Sequence, residues 1–385
     1  MQKIILRADK VKPFLQGHPW VFSGAVAKIE QPGTVGLAEV CTPDGQTIGF
    51  GFSDPGSQLV CRIFHFGPKP ETGFQPAYWT EKFRKAMALR TSALMPANTD
   101  SYRLIHAEGD AMPGIVADVY GGKVVVIHTL LDATGQWIDT WVRILQDLGF
   151  PHIYHRHGQD KQARWKTTDP PAQPMEIMEH GVRFWVDIVK GQKTGFFIDQ
   201  RENRKFLGSF SKGKKVLNAF GFTGGFSMYA LAAGAREVHT VDISEDACAL
   251  ARANVLLNQF PEERHIVEAA DCFKYLRTMA TDFDLVILDP PAFAKSKQAL
   301  DQAARGYKDI NRVALQRMAP GSFLATFSCS QHMDAALFRK ILFSAALDAG
   351  KQVQVVHTFH QPFDHPVHLN HPEGEYLKGF LVHLL

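Results

Sequence analysis

The chain has 385 residues and a mass of 42.9 kDa, is 45% hydrophobic, and carries a formal net charge of +3. That length suits two or three domains with packed cores and excludes a disordered chain, while so small a charge does not by itself establish a nucleic-acid partner. The five cysteines, Cys41, Cys61, Cys248, Cys272 and Cys329, are odd in number and form no C-x-x-C pair, which argues against a disulfide framework or a zinc site and fits a reducing compartment.

The first residues, Met1 to Lys10, lack the apolar run of a secretory signal, and no stretch approaches the roughly 18 apolar residues of a membrane span, so the expected location is the cytoplasm. Residues 1 to 70 read as short strands, Val21-Phe22, Val35 to Cys41, Thr47 to Phe52 and Leu59 to Phe66, with Pro43-Asp44-Gly45 as a turn. Strands this short, bounded by Gly, Pro and Asp, predict a small all-β barrel or sandwich. Apolar residues Phe83, Met87, Leu89 and Leu94 are read as falling at helical spacing between Pro76 and Leu94.

A mixed piece follows, with strands at Gly114 to Val119, Lys123 to Leu130 and Val182 to Val189, a helix at Gly135 to Leu148, and a polar irregular stretch from His155 to Gln173. It is expected to form a small α+β domain over 71–186. From 187 to 385 strands and helices alternate, with strands at Lys215 to Phe220, Glu237 to Val241, Ile266 to Glu268, Asp284 to Leu288 and Ser322 to Ser328. Such alternation predicts a parallel, doubly wound sheet whose ligands sit beyond the C-terminal strand ends.

The richest chemistry lies in this last part. Val216 to Ser227 reads as a strand, a turn containing Gly221, Gly224 and Gly225, and the start of a helix. Glycines let the backbone approach a ligand, and helix N-terminal amides favour its polar groups. The pattern is not G-x-G-x-x-G, so the pyrophosphate fingerprint is absent. The next strand ends at Asp242-Ile-Ser244, where a carboxylate can take both hydroxyls of a ribose. A nucleoside without a pyrophosphate points to S-adenosylmethionine. Asp271 after the third strand is read either as a contact to the adenine amino group, with Phe273 on the ring, or as a helix N-cap. Cys248 and Cys272 are expected to pack as small hydrophobes.

Asp289-Pro290-Pro291-Ala292-Phe293 is a stiff turn in which two prolines hold a carboxylate at a strand end, the place where methyltransferases meet the target base. One αβ unit later Cys329 stands between Ser328 and Ser330 at another strand end, either a buried structural thiol or a nucleophile. Arg201, Arg204, Lys205, Lys212, Lys214 and Lys215 cluster within fifteen residues, either a solvated face or a set of phosphate contacts. His357, His360, His365, His368 and His371 are interrupted by Pro362, Pro366 and Pro372 and read as a loop, not as a metal site.

The segments Gln192 to Arg204, Leu217 to Ser227, Asp289 to Ser296 and Ser328 to Ser330 together resemble the bacterial class I ribosomal RNA large subunit methyltransferases that make 5-methylcytosine. His18-Pro-Trp-Val-Phe22 and the later Gly-Phe-Gly-Phe-Ser resemble that family's PUA domain. The resemblance implies an RNA-binding PUA domain at 1–70, a central α+β domain at 71–186, and a Rossmann-like methyltransferase domain at 187–385. It implies a cofactor site from Phe196, Asp199, Arg201, Asn218, Phe220, Gly221, Thr223, Gly224, Ser227, Asp242, Ser244, Asp271, Cys272, Phe273, Asp289 and Pro291. The partner it implies is 23S-type ribosomal RNA, with no membrane and with a homodimer left open. The Asp-Pro-Pro-Ala turn carries no second cysteine, so cysteine-assisted product release is not expected here.

On this reading Cys329 adds to cytosine C6 and Asp289 bonds the Watson–Crick edge, donating toward N3, while no residue presents itself for the final deprotonation at C5. Two alternatives remain at this point: an RNA methyltransferase acting on nitrogen through the Asp-Pro-Pro turn alone, and a non-catalytic RNA-binding or assembly protein.

Overall fold

The computed structural model describes residues 1–31, 35–91, 95–158, 163–191, 193–294 and 296–385. Leu94, Gln192, Lys295 and part of the stretch expected to be irregular after His155 lie outside them. The described chain divides into two compact units, the first formed by Met1–Ile177, Val186–Ile198 and Phe363–Gly374, the second by Met178–Trp185, Asp199–Pro362 and Glu375–Leu385.

The first unit begins with β1 (Gln2–Leu6), the short helix α1 (Lys12–Leu15), β2 (Trp20–Phe22), β3 (Val26–Glu30), β4 (Gly36–Cys41), β5 (Thr47–Ser53) and β6 (Leu59–Phe66). They form one six-stranded sheet in the order β2-β6-β5-β4-β1-β3, antiparallel except where β1 meets β4. The expected strands are present. The sequence reading missed β1 and β3, the latter an edge strand whose residues are half-buried or exposed and so leave little apolar periodicity.

Helix α2 (Pro76–Arg90) starts with proline at its first turn, where the missing N–H costs nothing. A second sheet, β11-β10-β9-β8-β7, contains β7 (Tyr102–His106), β8 (Ile115–Tyr120), β9 (Val124–Thr129), β10 (His152–His157) and β11 (Arg164–Trp165). Helix α3 (Ile138–Asp147) buries Ile138, Trp141, Val142 and Leu145, the spacing of one helical face. Strand β10 corrects the expectation of irregular chain from His155. Its histidines and arginine mask a strand in which only Ile153 and Tyr154 are buried. Phe50, Phe52 and Phe64 of the first sheet share one core with Trp79 and Phe83 of α2 and Trp141 of α3. Trp79 lies 6.0 Å from Phe52 and 5.6 Å from Trp141 between ring centroids.

A two-stranded hairpin, β12 (Met175–Glu179) and β13 (Val182–Val186), is divided between the units. The second unit continues through α4 (Arg201–Ser209), β14 (Lys215–Ala219), α5 (Gly225–Ala232), β15 (Glu237–Asp242), α6 (Glu245–Leu257), β16 (His265–Ala269) and α7 (Cys272–Thr278). Then come β17 (Leu285–Leu288), α8 (Leu300–Arg317), β18 (Phe323–Ser328), α9 (Ala335–Asp348), β19 (Val353–His360) and β20 (Lys378–Leu384). Their sheet runs β16-β15-β14-β17-β18-β20-β19. Strand β17 is buried along its whole length, as a central strand covered on both faces must be.

Two expectations change here. The sheet is parallel only from β16 to β18, because β20 enters antiparallel between β18 and β19. His357 and His360 belong to β19 and not to a loop; His357 stacks on Phe206 at 4.0 Å. Strand order reverses between β15, β14 and β17, which makes the C-terminal ends of these strands the switch point where doubly wound folds hold ligands.

Candidate active site

The turn after β14 is built on unusual backbone. Phe220 and Phe222 have φ of +58° and +47°, and Gly224 has +79°. A left-handed conformation costs a non-glycine residue about 1–2 kcal/mol, so something must hold the turn. The Gly221 N–H donates to Val241 O (2.9 Å), the Phe222 N–H to Asp242 Oδ2 (2.8 Å) and the Ser244 N–H to Asp242 Oδ1 (3.0 Å). A Cβ on Gly221 would come within 2.6 Å of the Thr240 methyl, which explains glycine at the point where the turn crosses β15. Asp242 therefore has one job already, anchoring the turn, and each oxygen keeps a lone pair for a further donor.

Beneath the turn, Asn218 Nδ2 donates to Ser227 Oγ (2.9 Å), which lies 2.6 Å from Thr240 Oγ1, itself 2.7 Å from His265 Nε2. Burial holds the His265 imidazole down to about 4. Asn218 Oδ1 and Thr223 Oγ1 are buried and accept no hydrogen bond among the described residues. Buried polar atoms without partners cost free energy, so two of them beside a glycine turn mark a place where a ligand's donors fit.

Asp271 caps α7, its Oδ1 taking the N–H groups of Phe273 (2.8 Å) and Lys274 (3.4 Å), so the N-cap reading holds for this oxygen. Phe273 lies edge-on to Phe220 and tilted toward Phe293, each at 5.8 Å. Cys272 is buried, receives the Phe220 N–H (3.2 Å) and faces Val241 O (3.4 Å); burial pushes its thiol up to about 12. Cys248 is also buried, and its thiol is likewise raised by burial. Neither is a reactive thiolate at neutral pH.

Asp289 and Cys329 stand at the C-terminal ends of neighbouring strands, β17 and β18, paired in register through Leu288 and Thr326. The two loops are tied together. The Ala294 N–H, beyond the Asp-Pro-Pro turn, donates to Ser330 Oγ (3.2 Å), and Tyr307 Oη of α8 lies 3.0 Å from the same oxygen. Gln200 Nε2 donates to Asp289 Oδ1 (3.0 Å), and Asn203 Nδ2 holds Gln200 Oε1 (2.7 Å), fixing the carboxylate from α4. Cys329 is partly exposed, unlike the other four cysteines, all of which are buried. Pro290 is buried and Pro291 exposed.

Other expected residues have partners of their own. Phe196 belongs to the first unit, where its N–H donates to Tyr120 Oη (3.2 Å). Asp199, nearly buried, takes the Tyr376 hydroxyl on Oδ2 (2.7 Å). The basic cluster is corrected in part. Arg201 is fully buried with Nε on Glu202 (3.0 Å), and Arg204 is buried in a bidentate pair with Glu179 (2.8 and 2.7 Å). Lys215 is tied to Glu237 and Asp282, which leaves Lys205 and Lys212 as the exposed members. Gln200, Tyr307 and Lys378 were missed. A lysine opening an otherwise apolar strand was the available signal for Lys378, whose Nζ donates to Ser330 O and Met333 O.

Against known proteins, the family profile described as S-adenosylmethionine-dependent methyltransferase matches residues 139–369, and the PUA-like domain profile matches residues 4–66. Ribosomal RNA large subunit methyltransferase I of Shewanella frigidimarina is 39% identical over 395 residues, covering 99% of this chain and 98% of the relative. The protein of the same name from Vibrio campbellii is 39% identical over 401 residues, with 99% of each chain covered. Among solved structures, a chain assigned to the SAM-dependent methyltransferases from Streptococcus mutans matches over 100% of both chains with a TM-score of 0.87 and 21% identity. Another, solved in complex with SAH, matches over 100% of both chains at 0.88 and 21%. At that identity the likeness shows the fold. Among the described residues no helix is long and apolar enough to cross a membrane.

Proposed function

Because the chain belongs to the ribosomal RNA large subunit methyltransferase I family of S-adenosylmethionine-dependent methyltransferases, we propose that it methylates C5 of a cytosine in large-subunit ribosomal RNA through an adduct on Cys329. The observation that carries this reading is the hydrogen-bonded pair of loops at the ends of β17 and β18, which presents Asp289 and the partly exposed Cys329 from adjacent strands.

Asn218, Thr223 and Asp242 would hold the cofactor, with the amides at the start of α5 near its polar groups. Bound S-adenosylmethionine supplies an electrophilic methyl group on a sulfonium. Cytosine C5 is too weak a nucleophile to take it unaided. The Cys329 thiolate forms a bond to C6, and the π pair of C5=C6 moves to C5. Asp289, held by Gln200 on Oδ1, bonds the Watson–Crick edge and, protonated on its other oxygen, donates to N3, where negative charge builds. After methylation the C5 proton leaves to a base, its bonding pair restores C5=C6, and the S–C6 bond breaks to release the thiolate.

A base stacked in a helix cannot reach Cys329, so the target is unpaired or flipped out at a cost of about a few kcal/mol. The PUA-like domain, together with Lys205 and Lys212, would offset that cost through RNA contacts. The reading keeps a three-part chain divided near 70 and 186 and places its work in the cytoplasm. RNA carrying 5-fluorocytosine at the target tests it, because fluorine at C5 cannot leave as a proton does. Wild-type protein should be trapped covalently. Cys329→Ala should lose both trapping and methyl transfer while keeping S-adenosylmethionine affinity. Normal methylation by Cys329→Ala would instead favour nitrogen as the acceptor.

A further inference from the structure

Lys378 opens β20 in register with Ser328, the residue before Cys329. It is 6% exposed, and its Nζ donates to the carbonyls of Ser330 (2.7 Å) and Met333 (2.5 Å), which lie on the turn that follows β18. An ammonium has three donors and no acceptor, so two carbonyls leave it one N–H and its full charge beside that turn. Desolvation lowers its affinity for a proton to about 8, and the charges of Cys329, Asp334 and Glu375 work the other way. Among the described residues, Tyr307 of α8 lies 3.0 Å from Ser330 Oγ on the turn, and the charges of Asp334 at the N-cap of α9 and Glu375 in the segment before β20 act on Lys378.

We propose that Lys378 is a positioning residue that clamps the Cys329 turn and stabilises the Cys329 thiolate against its thiol. This rests on the reading of Cys329 as the nucleophile and adds the means of its activation. Below about pH 8 the S–H bond gives its proton to solvent, sulfur keeps the pair, and the ammonium stays protonated. A thiolate beside a cation forms at lower pH than an isolated thiol, whose ordinary value is about 8.5.

The test is the rate of Cys329 alkylation by iodoacetamide from pH 6 to 10, read by mass spectrometry of the Cys329 peptide in the full-length protein. Lys378→Met should raise the midpoint by about one pH unit and slow alkylation about tenfold at pH 7, with rates converging at high pH. A midpoint unchanged by the substitution, or a uniform slowing at every pH, would overturn the proposal. Should Lys378→Met fail to fold, the wild-type profile decides alone: a midpoint at or above about 8.5 overturns it and one clearly below supports it. Alkylation needs neither RNA nor methyl donor. A shifted midpoint with no 5-fluorocytosine trapping would therefore sink the nucleophile and leave the ion pair, and trapping with an unshifted midpoint would do the reverse.

Discussion

Asp242 anchors the turn and, on the proposed function, holds the ribose as well, and one substitution can separate the two. Its oxygens take the Phe222 and Ser244 N–H groups at 2.8 and 3.0 Å, and in the proposed complex they also take the ribose hydroxyls. Asp242→Asn keeps the shape but replaces one acceptor with an NH2 group, which must face a backbone N–H or a ribose hydroxyl. At least one charge-assisted bond is lost, worth about 1.5–3 kcal/mol, or roughly 10- to 150-fold in dissociation constant. Titration calorimetry with S-adenosylmethionine should show that weakening. Thermal unfolding without ligand would report how much stability the turn alone has lost. If the variant folds and binds S-adenosylmethionine as tightly as the wild type, the ribose sits elsewhere and Asp242 serves only the turn.

Glu179→Ala should strip the buried Arg204 of its bidentate partner and cost about 3–5 kcal/mol in urea unfolding, because the remaining charge is left uncompensated. Stability should also fall with acid. His265 is held at about 4 in the fold against 6.5 when unfolded, so between those values only the unfolded chain binds the proton; stability is full above pH 6.5, drops toward pH 4, and His265→Gln should flatten part of that slope in thermal melts. His155, also held at about 4, should contribute to the same window. Replacing the exposed Lys205 and Lys212 with alanine should weaken RNA binding evenly across sequences and reduce the slope of log affinity against log salt by up to about two, read by filter binding at several KCl concentrations.

The glycine turn, the carboxylate at the end of the next strand and the Asp-Pro-Pro corner were legible because each is local: a strand, a turn residue and a polar group a few positions apart. What the sequence hid was long-range. Gln200 meets Asp289 across 89 positions and Tyr307 meets Ser330 across 23, and no periodicity announces such pairs. The buried arginines misled for a related reason. Arg201 and Arg204 read as surface charge because their partners Glu202 and Glu179 carry no sequence mark of burial. Strand β10 was hidden by its own polar residues, and the mixed sheet by β19, whose histidines resembled loop composition, and by β20, whose direction no local pattern announces.

The late position of β20 has a consequence for synthesis. It is made after β19 yet lies between β19 and β18, so β18 presents an open edge of backbone donors and acceptors until β20 arrives. While the nascent chain is still short of Lys378, the thiol-bearing turn after β18 has neither its clamp nor its neighbouring strand. The corner that carries Cys329 is thus completed only after the preceding strands of its sheet have been made. Pulse-labelled hydrogen exchange during refolding would show this as amides of β18 and β20 gaining protection together, after those of β14 and β15; earlier protection of β18 would mean that its edge is covered some other way.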